Sequence, residues 1–165
     1  EKDGHRPKSS SHGNRMKAYW LEESAQTEID SDELTAQGLF NAHCTPGGAA
    51  VQPLLDDLMT NRGYGTQDEV ALYPDTENLD ALLDKFRPEH HHTEDEVRFV
   101  LNGEGIFDVR SADDRWMRIE MEPGDLLIVP AMRNHRFFLK ESRTIHCVRL
   151  FQDPTGWTAH YRETK

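Results

Sequence analysis

Three consecutive histidines, His90-His91-His92, are followed by Glu96 and much further along by His135. Read as His90-x-His92-x3-Glu96 with a distant His135, they offer three imidazoles and one carboxylate. That donor set suits a divalent first-row metal, since imidazole favours iron, nickel, copper or zinc. The spacing has a geometric reason. Side chains alternate faces along a strand, so positions 90 and 92 point one way while His91 points the other and is excluded as a ligand. Thr93-Glu94-Asp95 is a polar break. Glu96-Val97-Arg98-Phe99-Val100 then reads as a fresh strand with Glu96, Arg98 and Val100 on one face. The expectation is a single hairpin that aims two imidazoles, a carboxylate and a guanidinium into one cavity. Four protein ligands on an octahedral metal leave two positions open, enough for a substrate to chelate. Histidine runs also occur as tags and solvated tracts, but this one is internal and flanked by strand-like segments.

The elements that must position these residues change character once along the chain. From about Ser31 to Phe86 the signals are helical. Ser31-Asp32-Glu33-Leu34 looks like a short helix start, and Val51 to Asn61 carries Leu54, Leu55 and Leu58 at helical spacing. Thr66-Gln67-Asp68-Glu69 is a capping-box pattern ahead of Val70, Leu72 and Tyr73, so a helix is expected there. Leu79, Leu82, Leu83 and Phe86 form an i, i+3, i+4, i+7 apolar stripe. From Pro88 onward, short strand-like runs alternate with turns: Val97–Leu101, Ile106–Arg110, Trp116–Met121, Leu126–Val129, His135–Leu139 and Thr144–Phe151. Six strands at this even spacing suggest a double-sheet jelly roll or small barrel, with the leading helices packed outside it. On the strand opened by His135, that residue shares a face with Phe137 and Leu139. His43, His146 and His160 have no partner at ligand spacing and read as structural.

The 165 residues suffice for one domain with a substantial core and are too few for two comfortable ones. Nineteen basic against thirty acidic residues give a net charge of −11. No basic stripe stands out, which argues against nucleic acid and anionic membrane as partners. No apolar run approaches the ~20 residues needed to span a bilayer. Residues Glu1 to Arg15 are polar, lack the apolar region of a secretory signal, and read as a disordered extension ahead of Met16. Cys44 and Cys147 lie far apart with no CxxC, as in a reducing compartment. The expected location is the cytoplasm, with the nucleus as a second site in a eukaryote.

Gly124-x5-Pro130-x4-His135, together with His90-x-His92-x3-Glu96-x6-Gly103, matches the two-part motif of the cupin superfamily. Within it, the string from Glu89 to Phe99 closely resembles the acireductone dioxygenase family. So do Gly105 to Arg110, Trp116 to Ile119, and Val148 to Phe151 with Trp157-Thr158-Ala159 behind it. Met16-Lys17-Ala18-Tyr19-Trp20 looks like that family's opening strand. The resemblance implies a single cupin domain over residues 16–161, mainly β, a double-stranded β-helix, with residues 162–165 as a tail. It departs from the pattern at Met132, where cupins carry a glycine for a tight turn, so the turn beside His135 is expected to be reshaped or to carry a side chain near the pocket. The stretch Leu39 to Thr45 is also less apolar than is usual in the family.

The resemblance further implies a metal site of His90, His92, Glu96 and His135 holding one Fe2+ or Ni2+ per chain, and an oxygen-dependent cleavage of an acireductone in methionine salvage. Iron would give formate and a 2-keto acid, and nickel would give formate, carbon monoxide and 3-methylthiopropionate. Arg98 matches a position associated with generating the substrate dianion. Glu89 and Asp95 match positions linked with metal incorporation and with relaying conformational change, and carboxylates so placed commonly orient ligand imidazoles. Phe86, Phe137 and Trp157 match positions lining an apolar pocket for the methylthio tail. The expected partners are the small-molecule substrate and dioxygen, with the chain a monomer. Two other readings stay open from the residues alone: another metal cupin enzyme, such as a sugar-phosphate isomerase or a different dioxygenase, and a non-catalytic metal-binding cupin.

Overall fold

The computed structural model describes residues 16–163, so the arm at 1–15 and the last two residues of the expected tail lie outside the described residues. Among the described residues, two antiparallel sheets face each other. In chain order the elements are β1 (Lys17–Trp20), α1 (Ser31–Ala36), β2 (Asn41–His43), α2 (Val51–Arg62), β3 (Thr66–Leu72), α3 (Leu79–Asp84), β4 (His90–His91), β5 (Glu96–Gly103), β6 (Gly105–Arg110), β7 (Trp116–Met121), β8 (Asp125–Val129), β9 (His135–Leu139), β10 (Ile145–Phe151), a 3-10 turn (Pro154–Trp157) and β11 (His160–Tyr161). One sheet runs β1-β7-β6-β9-β4-β11 and the other β2-β8-β5-β10-β3. This is the mainly β double-sheet barrel of a cupin, with few helices.

Alternation along the strands builds two apolar layers. Val100, Phe107, Met121, Leu127, Val129, Phe137 and Ile145 fill the space between the sheets. Val97, Phe99, Leu126, Ile128, Val148 and Leu150 point out of the second sheet and are covered by Leu55 and Leu58 of α2. That sheet is therefore apolar on both faces, as a sheet covered by a helix must be. The β5–β6 corner needs glycine. Gly103 has φ of +76°, and a Cβ there would collide with the Thr144 carbonyl.

Two sequence expectations are corrected here. Thr66–Leu72 is a strand, not a helix, and pairs with β10 along its whole length, from Ile145↔Leu72 to Phe151↔Thr66. Asp68, Val70 and Leu72 are the less exposed positions and alternate with exposed Gln67, Glu69 and Ala71. This is a period of two that cross-strand pairing stabilises over a local capping pattern. The second correction concerns the supposed hairpin. Strand β4 pairs with β9 and β11, while β5 pairs with β8 and β10 in the opposite sheet. The Thr93–Asp95 break carries the chain from one sheet to the other, so His90 and Glu96 face each other across the barrel.

Candidate metal centre

His90 ends up opposite His135 in the β4–β9 register, and His92 lies one residue beyond β4. All three imidazoles are 1–2% exposed, and their ligand atoms lie within 4.8 Å of one another. His91 is half-buried and turns outward. Each of the three rings donates its Nδ1–H to a backbone carbonyl: His90 to Pro88 at 2.7 Å, His92 to Thr158 at 3.0 Å and His135 to Arg133 at 2.9 Å. A carbonyl can only accept, so each Nε2 is left as a lone pair. Glu96 is 4% exposed, and its Oε2 lies 2.9 Å from His135 Nε2 and 3.9 Å from His92 Nε2. Neither Glu96 Oε2 nor His135 Nε2 has a hydrogen-bond partner among the described residues; at 2.9 Å from each other both are acceptors, with no proton between them. Two buried acceptors aimed into one space are costly alone, and a divalent cation between them removes that cost. These residues fit a first-row metal.

The electrostatics agree. The His90 imidazole is pushed down to about 4, first by burial and then by neighbouring His135, and His92 is lowered chiefly by burial. Burial pushes the Glu96 carboxyl up, but His135, the Arg98 guanidinium and His92 together outweigh it and hold the group well below the usual carboxylate range. Neutral imidazoles beside an ionised carboxylate are the protonation states that metal ligation requires.

Arg98 shares the inward face of β5 with Glu96, as the strand parity requires. Its Nη2 donates to Glu96 Oε1 at 3.2 Å and its Nη1 to Cys147 Sγ at 3.4 Å. The guanidinium lies 5.0 Å from the Trp157 ring centre and 5.9 Å from that of Phe137. Its Nε, and the Trp157 Nε1, are buried with no acceptor among the described residues. Burial alone would lower the guanidinium, but the Cys147 side chain and the Glu96 carboxylate raise it above its ordinary value, so it stays a cation. Beside this group opens a cavity of about 680 Å³ lined by Val70, Leu72, Phe86, Phe137, Arg149 and Trp157, with Glu96 and Arg98 at its base. The three expected aromatics thus share one cavity with Arg98.

Glu89 and Asp95 are placed differently from the expectation that they orient imidazoles. Glu89 accepts from Arg110 and from Arg162, at 3.1 and 2.7 Å for the shortest contacts. Asp95 accepts the Tyr64 hydroxyl at 2.6 Å and the Ala131 amide at 2.8 Å. The imidazoles are held by carbonyls instead. Met132 has φ of +68° and is 60% exposed. It keeps the left-handed turn a glycine would make and turns its side chain to solvent, away from the cavity. His43 pairs with Asp125 and His146 with Glu69. Two residues escaped the sequence reading. Arg149 lines the cavity while bonded bidentately to Asp68 at 2.8 and 2.6 Å, and the Asp68/Arg149 register became visible only once β3 was a strand. Tyr64 carried no signal at all.

A family model for the ARD/ARD′ family matches residues 14–159. The chain belongs to that family. It is 41% identical over 145 residues to an acireductone dioxygenase of Sulfurihydrogenibium sp., covering 88% of this chain and 76% of the relative. It is 53% identical over 106 residues to that of Heterostelium pallidum, covering 64% and 73%. The solved acireductone dioxygenase from Bacillus anthracis, with a cadmium ion in its active centre, superposes with a TM-score of 0.81 at 29% identity, covering 90% of this chain and 99% of that one. A second cupin motif and a first one thus meet here in a family whose structural relative holds a divalent cation.

Proposed function

We propose that this chain is a metal-dependent dioxygenase that cleaves the acireductone 1,2-dihydroxy-3-keto-5-methylthiopentene with O2, with His90, His92, Glu96 and His135 holding one Fe2+ or Ni2+. The observation that carries the reading is the convergence of unpaired imidazole and carboxylate lone pairs beside an unpaired Arg98 Nε–H, at the base of a largely apolar cavity. A bound divalent metal supplies Lewis acidity for an ene-diolate and a route for electrons to oxygen.

The protein's own residues do the rest. Arg98, a fixed cation in a desolvated wall, favours the ionised ene-diol over its neutral form, and its Nε–H donates to an oxygen on which negative charge gathers. The Nδ1–H···O=C bonds keep the imidazole tautomers fixed, so the rings do not act as proton donors. Phe86, Phe137, Leu72 and Val70 take an apolar tail and exclude water. The sugar-phosphate isomerase alternative wants several free basic groups, whereas of the three basic residues lining the cavity Arg98 and Arg149 already face carboxylates and, among the described residues, Lys85 alone does not.

With iron the products are formate and 4-methylthio-2-oxobutanoate, and with nickel formate, carbon monoxide and 3-methylthiopropanoate, which places the reaction in methionine salvage. Metal-free protein reconstituted separately with each ion tests this through headspace carbon monoxide and keto-acid analysis. Carbon monoxide from the nickel form alone is the expected result, and identical products from both forms would refute metal-controlled cleavage.

A further inference from the structure

Two histidines outside the centre meet on the other side of the same sheet. His160 lies directly opposite His91 in the β4–β11 register, and Tyr161 opposite His90. His90 turns into the barrel, so His91 and its cross-strand partner share the outer face. His91 is half-buried and His160 exposed. Their ring centres are 5.3 Å apart. Sequence spacing alone gives His160 no ligand partner, and the fold supplies one from another strand.

That separation has a chemical meaning. A metal–nitrogen bond of about 2.0–2.1 Å puts each ring centre ~3.2 Å from the ion, and two ligands at a tetrahedral angle then stand ~5.2 Å apart. The buried imidazoles of this same protein lie 4.5 to 5.0 Å apart, centre to centre. The outer rings are near parallel, 22° between planes, so one must turn about its broad sp3–sp2 torsion to aim its lone pair; His160, exposed, is free to do so. An independent observation extends the row. His90↔His135 pairing sets Asn134, one residue before β9, beside His91 on the opposite flank from His160. The Oδ1 of Asn134 is buried and has no hydrogen-bond partner among the described residues. The register therefore sets Asn134, His91 and His160 side by side, from the residue before β9 through β4 to β11.

We propose that His91 and His160, with Asn134 beside them, form a second divalent-cation site on the outer face of the β9-β4-β11 edge, suited to a borderline first-row ion such as Zn2+, Ni2+ or Cu2+. It is separate from the buried centre, and stands whatever reaction that centre performs. Its consequence follows from what β11 does. This two-residue edge strand pairs with β4 alone, and it ends the segment that brings Trp157, Thr158 and Tyr161 over the cavity and the Thr158 carbonyl to His92. An ion shared by His91 and His160 cross-links β11 to β4 and holds that segment down.

The test is a Zn2+ titration by calorimetry of protein already carrying one equivalent of metal, with released metal measured to detect displacement. Wild type should take up one further equivalent without releasing the first. His91→Ala and His160→Ala, both surface changes, should each bind the second ion at least tenfold more weakly and keep the first. Amide exchange over residues 158–162 should slow with the second ion in wild type and not in the variants. A second equivalent retained unchanged in both variants, no second equivalent in wild type, or exchange at 158–162 indifferent to the ion would each overturn the proposal.

Discussion

Arg98→Ala should retain the metal, because all four ligands stay in place although Glu96 loses one donor, yet lose ~10²–10³-fold in turnover, the usual cost of removing one preorganised donor. Arg98→Lys should recover only part of this, since an ammonium lacks the planar fork that now spans Glu96 and Cys147. Turnover close to wild type in Arg98→Ala would reduce the residue to a piece of cavity wall. His135→Ala removes one of the buried lone pairs, and metal analysis should find occupancy severely reduced; full occupancy with normal turnover would remove His135 from the ligand set. Met132→Gly is the contrasting case. Relief of a left-handed non-glycine backbone, worth ~1–2 kcal/mol, is offset by ~0.4–1 kcal/mol of added unfolded-chain entropy, and kcat/KM should not change, because the side chain points to solvent. The ligand residues were legible because strand parity and a two-part spacing mark them. The carbonyls that fix their tautomers were not, since Pro88, Arg133 and Thr158 contribute main-chain oxygens that any residue has.

Among the elements, legibility followed the range of the forces involved. Helix α3 and the later strands carry their periodicity within a few residues, and the pattern placed them. Strand β3 was hidden because its partner β10 lies some eighty residues away, and a Thr-x-x-Glu string gave a local helix signal that the sheet overrode. Crossing between sheets at Thr93–Asp95 was equally invisible, since a turn string does not say which sheet the next strand joins. Asp95 holds that crossing to Tyr64 and to the Ala131 amide, on the turn that precedes His135. Tyr64→Phe leaves the half-buried Asp95 carboxylate short of one donor, a loss of up to ~1.5–3 kcal/mol. Its urea midpoint should fall accordingly, and metal should dissociate faster from the folded protein; an unchanged midpoint would show that the bond contributes nothing. Leu55→Ala, under α2 and far from the cavity, should cost ~2–5 kcal/mol while leaving the metal content of the folded fraction intact.

For the molecule as a whole, two sheets close a buried, metal-suited cluster at one end of an apolar cavity in an otherwise acidic chain of net charge −11. No helix among the described residues is long and apolar enough to cross a membrane. The cavity sets Glu96, Arg98, Arg149 and Lys85 among aromatic and aliphatic walls, a composition that suits an anionic head with an apolar tail. The most direct measurement of the central claim is oxygen uptake by metal-free protein reconstituted with one equivalent of Fe2+ or of Ni2+ and supplied with synthetic acireductone. One O2 consumed per acireductone, with either metal and with neither His135→Ala nor metal-free protein, is the result predicted. Absence of uptake with both metals, in protein shown to hold one ion per chain, would contradict the dioxygenase reading.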